Sequence, residues 1–165
     1  MAEPSPEPAG EPTVTLAISP RSLTRGQLDQ LQRGGKAFDE LAEELVADEY
    51  GLEGLALDPD WWDLRHPDRP TKYEVKSTST KIGEKYPGDG RFRVWEGQTR
   101  SLITSDAQAT AWYAFVLFDE ADGMLRIQRM RPSTVLSLVN ERGGWNRSGH
   151  RSMGRQYKIP WTEIF

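Results

Sequence analysis

Seven consecutive apolar residues, Trp112 to Phe118, constrain this chain more than any other stretch. The run is far shorter than the ~20 residues a membrane helix needs. It also lacks the polar alternation of a strand with one wet face, so it predicts a strand buried on both sides. Such a strand needs a covering layer on each face, which the rest of the chain must supply. Asp119 to Gly123 then reads as a turn and Met124 to Arg131 as the neighbouring strand. Pro132 opens a helix over Ser133 to Glu141, stopped by Gly143-Gly144.

Ahead of the run, Met1 to about Thr13 is mostly Pro, Glu, Ala, Ser and Gly and has little to pack. We expect a disordered tail over 1–20 and a single domain over 21–165. Thr24 with Gln27 forms a capping-box pattern. Leu28, Leu31, Gly35, Phe38, Ala42 and Leu45 recur at spacings of three and four, one face of a helix. Gly34-Gly35 divides that stretch into a short helix and a longer one, which Gly51 ends. Leu55 to Leu57 is a short strand candidate, and Lys81 to Gly90 reads as a mobile loop. Arg91 to Trp95 fits a strand or a helix entry, and Gln98 to Thr104 fits a helix. Trp145 to Gln156 reads as a loop, and Tyr157 to Phe165 as an edge strand interrupted at Pro160. The order is that of a mixed α/β domain with a central sheet.

Chemistry concentrates in one predicted hairpin. Pro67-Asp68-Arg69-Pro70 makes a turn, and Tyr73, Glu74, Val75 and Lys76 alternate as in a strand with one dry face. Period two puts Glu74 and Lys76 on the same face. A turn symmetric about Asp68 and Arg69 sets Asp63 across from Glu74, with Cβ atoms roughly 5 Å apart. Two such carboxylates suit a divalent metal with oxygen ligands, chiefly Mg²⁺. Lys76 is placed to position a water or to neutralise charge on a phosphate. Asp60, after Pro59, is an alternative acid, but in this register it points to the opposite face unless a bulge intervenes. The same residues also fit a surface hairpin with a cross-strand Glu-Lys pair.

With no cysteine there is neither a disulfide framework nor a thiolate zinc site. Two histidines, His66 and His150, make a histidine-based metal site or triad improbable. No signal-peptide pattern opens the chain, so the expected setting is intracellular. The net charge of −4 argues against indiscriminate binding to nucleic acid, yet the charge is uneven. Thirteen acids stand between Met1 and Asp60, whereas Arg126 to Lys158 holds eight basic residues against Glu141 alone. Arg142, Arg147, Arg151 and Arg155, interleaved with Trp145, His150 and Tyr157, are spaced for contacts to a phosphate backbone. Lys81 and Lys85 could do the same beside the hairpin. Solvated loops account equally for both clusters.

Gly35-Lys36-Ala37-Phe38-Asp39 opening an amphipathic helix, then Asp63, then Glu74-Val75-Lys76, resembles the PD-(D/E)XK nuclease superfamily. The likeness, over about Leu28 to Met130, is to its Holliday-junction-resolvase-like branch. It implies a restriction-endonuclease-like αβββαβ core, a central mixed sheet flanked by helices. It further implies Asp63 and Glu74 as metal ligands, Lys76 as the catalytic lysine, and Asp39 as an acid from the first helix. Glu40 and Glu43 remain alternatives for that helix acid, because relatives more often carry Glu there. Gln98 matches a glutamine that many relatives direct at the site. The implied activity is Mg²⁺-dependent, endonucleolytic hydrolysis of DNA, with Mn²⁺ as a substitute metal and no nucleotide cofactor. DNA is then the partner, a homodimer is compatible with cutting two strands, and no membrane is involved. The rival expectation is a non-catalytic DNA-binding or assembly module that keeps the nuclease fold. RNA is a third candidate, since the metal chemistry does not choose the sugar.

Overall fold

The apolar run becomes the centre of the molecule. The computed structural model describes residues 15–54, 63–83, 85, 88–106, 109–150 (147–150 by backbone alone) and 154–165. Its elements are β1 (Leu16–Ile18), α1 (Arg25–Arg33), α2 (Gly35–Tyr50), β2 (Glu53–Gly54), β3 (Leu64–Arg65) and β4 (Lys72–Ser79). After these come β5 (Lys81–Ile82), β6 (Gly88–Asp89), β7 (Arg91–Trp95), α3 (Glu96–Ser105) and β8 (Ala111–Asp119). The chain closes with β9 (Met124–Met130), α4 (Pro132–Glu141), β10 (Asn146–His150) and β11 (Gly154–Pro160).

A six-stranded mixed sheet runs in the order β1-β9-β8-β4-β3-β2. Strand β8 lies parallel to β4 and antiparallel to β9, so it is paired on both sides. Its residues alternate between two cores, as period two requires. Trp112, Ala114 and Val116 join Phe38, Leu41 and Leu45 of α2. Tyr113, Phe115 and Leu117 join Leu102 of α3, Val135 and Val139 of α4, and Phe92 and Ile159. Fully burying a side chain of this size contributes roughly 1.5–3 kcal/mol. The architecture is therefore the mixed α/β, restriction-endonuclease-like one expected from the sequence.

Local chemistry explains most boundaries. Thr24 and Gln27 exchange both capping-box hydrogen bonds at the start of α1. Gly34 and Gly35, at φ 65° and 53°, separate α1 from α2, and Gly51 ends α2 in the left-handed conformation. The turn between β3 and β4 is symmetric about Asp68 and Arg69, with Leu64 opposite Tyr73 and Arg65 opposite Lys72.

Three expectations are corrected. The segment from Lys81 to Gly90 carries the antiparallel pair β5–β6 rather than a plain loop. The segment from Trp145 to Gln156 carries β10 and the start of β11, and β11 lies between β10 and β7 in a three-stranded sheet instead of at an edge. Its inward residues Tyr157 and Ile159 pack on the second core, while charged and polar neighbours face away and disguise the strand. Finally, Leu16–Ile18, inside the stretch assigned to the tail, pairs with Leu125 to Ile127 as an edge strand, because three apolar residues find an open edge on β9. Residues 1–14 and the strand candidate Leu55 to Leu57 lie outside the described residues. No described helix is long and apolar enough to cross a membrane.

Candidate active site

Among the described residues, strand β3 is two residues long and pairs with β4 at Lys72 and Tyr73. Beyond Tyr73, the described residues give β4 no regular strand partner on that side. Asp63, just ahead of β3, fills the first gap. Its N–H donates to the Tyr73 carbonyl (2.8 Å), and its Oδ2 accepts from the Val75 N–H (2.9 Å). The carboxylate thereby completes a ladder bond the short strand leaves open, and it stands beside Glu74.

Glu74 points from β4 toward the second core and is 5% exposed. Burial disfavours its charged form and raises its pKa to about 8. Lys76 opposes that rise, while the charge of Asp63 and a hydrogen bond with it add to it. Lys76 Nζ lies 3.1 Å from Glu74 Oε1. Burial and this attraction act on the Glu74 carboxyl in opposite directions, burial being the stronger. The same Nζ donates to Gln98 Oε1 at 3.1 Å, which links β4 to α3.

Helix α2 reaches the site from the other face of β4. Ser77 Oγ donates to Asp39 Oδ1 at 2.6 Å. Asp39 and Glu43, one helical turn apart, both line the cleft beside β4. Glu40 is exposed and is not among the lining residues. The cleft holds about 500 Å³. Asp39, Glu43, Asp63, Glu74, Lys76 and Ser77 line it from α2, β4 and the residue ahead of β3, and Ile82, Arg91, Arg93, Trp95 and Lys158 line it from β5, β7 and β11.

The structure thus brings Asp39, Asp63, Glu74, Lys76 and Gln98 together around residues 74–77 of β4. Of the four arginines expected at a phosphate backbone, Arg142 pairs with Glu163 (2.6 Å) and Arg155 with Glu96 (2.6 Å). The Arg147 side chain, Arg151 and the alternative acid Asp60 lie outside the described residues. Sequence reasoning missed the basic lining residues Arg91, Arg93 and Lys158. The signal for the two arginines was present in Arg91-Phe92-Arg93-Val94, where charged and apolar residues alternate strictly.

The donor set suits a hard cation. Asp63 and Glu74 offer adjacent carboxylate oxygens, the Glu74 group buried and raised in pKa by burial and by the charge of Asp63. Among the described residues, no three Asp, Glu, His or Cys side chains form a ready cage. Mg²⁺ commonly uses one or two carboxylates, with waters and substrate phosphates completing its shell. A family model for the PD-(D/E)XK nuclease superfamily domain matches residues 30–165. No curated protein matches the chain.

Proposed function

The chain belongs to the PD-(D/E)XK nuclease superfamily, and on that premise we propose that it is a Mg²⁺-dependent DNA nuclease that hydrolyses phosphodiester bonds. The observation that carries this reading is the convergence around Glu74 and Lys76 of β4. There a buried Glu74 lies beside Asp63 and within 3.1 Å of Lys76, which Gln98 holds from α3. In this reading Asp63 and Glu74 hold the cation. When bound, a divalent ion supplies polarisation of the phosphoryl oxygen and acidification of a water.

The chain's own groups do the rest. Lys76 presents a fixed positive charge toward the phosphate and orients the attacking water. Gln98 restrains Lys76 by accepting a hydrogen bond from its ammonium group, and so acts as a positioning residue. Asp39, tied to Ser77, adds a carboxylate at the rim where a water can be held. The setting is intracellular, on DNA, and a dimer would bring two such clefts to two strands.

The test is cleavage of plasmid, linear duplex, single-stranded and branched DNA, with RNA alongside, in Mg²⁺, Mn²⁺ or chelator. Metal-dependent cutting of at least one DNA is expected. Cutting of RNA alone would shift the substrate class. No cutting of any substrate, with DNA binding intact, would make the protein a non-catalytic DNA-binding module.

A further inference from the structure

Strands β7 and β11 pair antiparallel, with Arg93 directly opposite Lys158 and Arg91 opposite Pro160. Arg91 and Arg93 share one face of β7, since Phe92 and Val94 between them are buried in the second core. Like charges directly opposite on a sheet repel. Among the described residues, no carboxylate forms an ion pair with Arg91, Arg93 or Lys158, although Arg93 lies over the Trp95 ring at 5.8 Å. The three cations therefore form a stripe without an internal counter-charge. The stripe lines the same cleft as Asp63 and Glu74.

We infer that Arg91, Arg93 and Lys158 are the backbone-binding track of this protein, gripping the phosphates of the nucleic-acid strand that enters the cleft. The inference rests on the nuclease reading for its substrate class and adds residues that contact it. Arg155 sits on β11 with the opposite parity to Lys158 and is held by Glu96, while Arg142 is held by Glu163. Neither lines the cleft. On a protein of net charge −4, the local field of the stripe is what attracts a polyanion. Three phosphate contacts give a log–log salt slope of about −2.7 on duplex DNA and about −2.1 on a single strand.

The experiment is fluorescence anisotropy of labelled duplex and single-stranded DNA with the full chain, in chelator to prevent cutting, across a range of NaCl. Arg91→Gln, Arg93→Gln and Lys158→Gln should each weaken binding and reduce the slope by about 0.9 on duplex or 0.7 on single strand. Arg93→Lys should restore the slope, which a merely structural role would not require. Arg142→Gln and Arg155→Gln should keep the wild-type slope. Melting temperatures of Arg93→Gln and Lys158→Gln should hold or rise, because a like-charge pair is relieved. Wild-type slope in the stripe variants, a slope carried by Arg142 or Arg155, or no DNA binding by wild type would each overturn the inference. Cleavage is read separately. A stripe-dependent binder that does not cut sinks the nuclease reading alone, and a stripe-independent nuclease sinks this inference alone.

Discussion

At the scale of single residues, Glu74 carries the sharpest signature. Its folded pKa of about 8 lies above the ordinary value of 4.5. Below the ordinary value the group is neutral in both folded and unfolded chains. As pH rises from there toward 8 the unfolded chain gives up the proton first, so the metal-free protein loses stability. The loss is at most about 1.4 kcal/mol per pH unit and levels off above about 8. Glu74→Gln removes this dependence. The difference in melting temperature between variant and wild type should therefore grow in the variant's favour from pH 5 to 8. Parallel melting profiles would show that Glu74 titrates normally. Lys76 is a separate case, since the proposed function uses its charge on substrate. Lys76→Met should reduce the cleavage rate about 10²–10³-fold, the range for losing one preorganised electrostatic contact. Gln98→Ala should lose less, because it acts only through Lys76, and the ratio of the two rates in single-turnover assays checks that order.

At the scale of elements, two close fits hold the site. Gly90 joins the β5–β6 hairpin to β7 and passes against the end of β4. A Cβ built there would lie 1.7 Å from the Ser79 carbonyl oxygen. Gly90→Ala must push backbone from backbone, and should cost about 1–3 kcal/mol or more, read as a fall in melting temperature. Unchanged stability would mean that this approach is looser than described. The second fit docks α3 on β8. The Thr99 hydroxyl donates to the Trp95 carbonyl at 2.8 Å, so the Tyr113 hydroxyl donates to Thr99 across 2.6 Å. Thr99→Val leaves that buried phenol without its acceptor, at about 1–3 kcal/mol. Because Thr99 follows Gln98, the variant should also slacken the hold on Lys76 and lower cleavage; wild-type stability would contradict this pairing. Local signals made these helices and the β3–β4 register legible in the sequence: a capping box, paired glycines, and a turn bounded by prolines. The β5–β6 hairpin and β10–β11 were not legible, because their strands are short or polar on one face. Only packing against the second core selects Tyr157 and Ile159 as inward residues.

At the scale of the whole molecule, the candidate site gathers groups from several elements beside β4. Among the described residues β3 pairs with β4 only at Lys72 and Tyr73, α2, β7 and β11 help line the cleft, and α3 reaches it through the Gln98–Lys76 hydrogen bond. Asp63, Glu74 and Lys76 were legible because parity and register within one hairpin place them together. Arg91, Arg93 and Lys158 were not, since they join the site through pairing between strands about sixty residues apart in sequence, which no local pattern specifies. The family match over residues 30–165 is consistent with this division, covering α2 through the final strand. The most direct measurement is single-turnover DNA cleavage in Mg²⁺ by wild type, Asp63→Asn and Glu74→Gln, with melting curves taken on the same samples. The account predicts that both variants fold and lose at least about 10²-fold in rate, as expected when transition-state charge stabilisation is removed. A folded variant of either kind that cuts at the wild-type rate would contradict it.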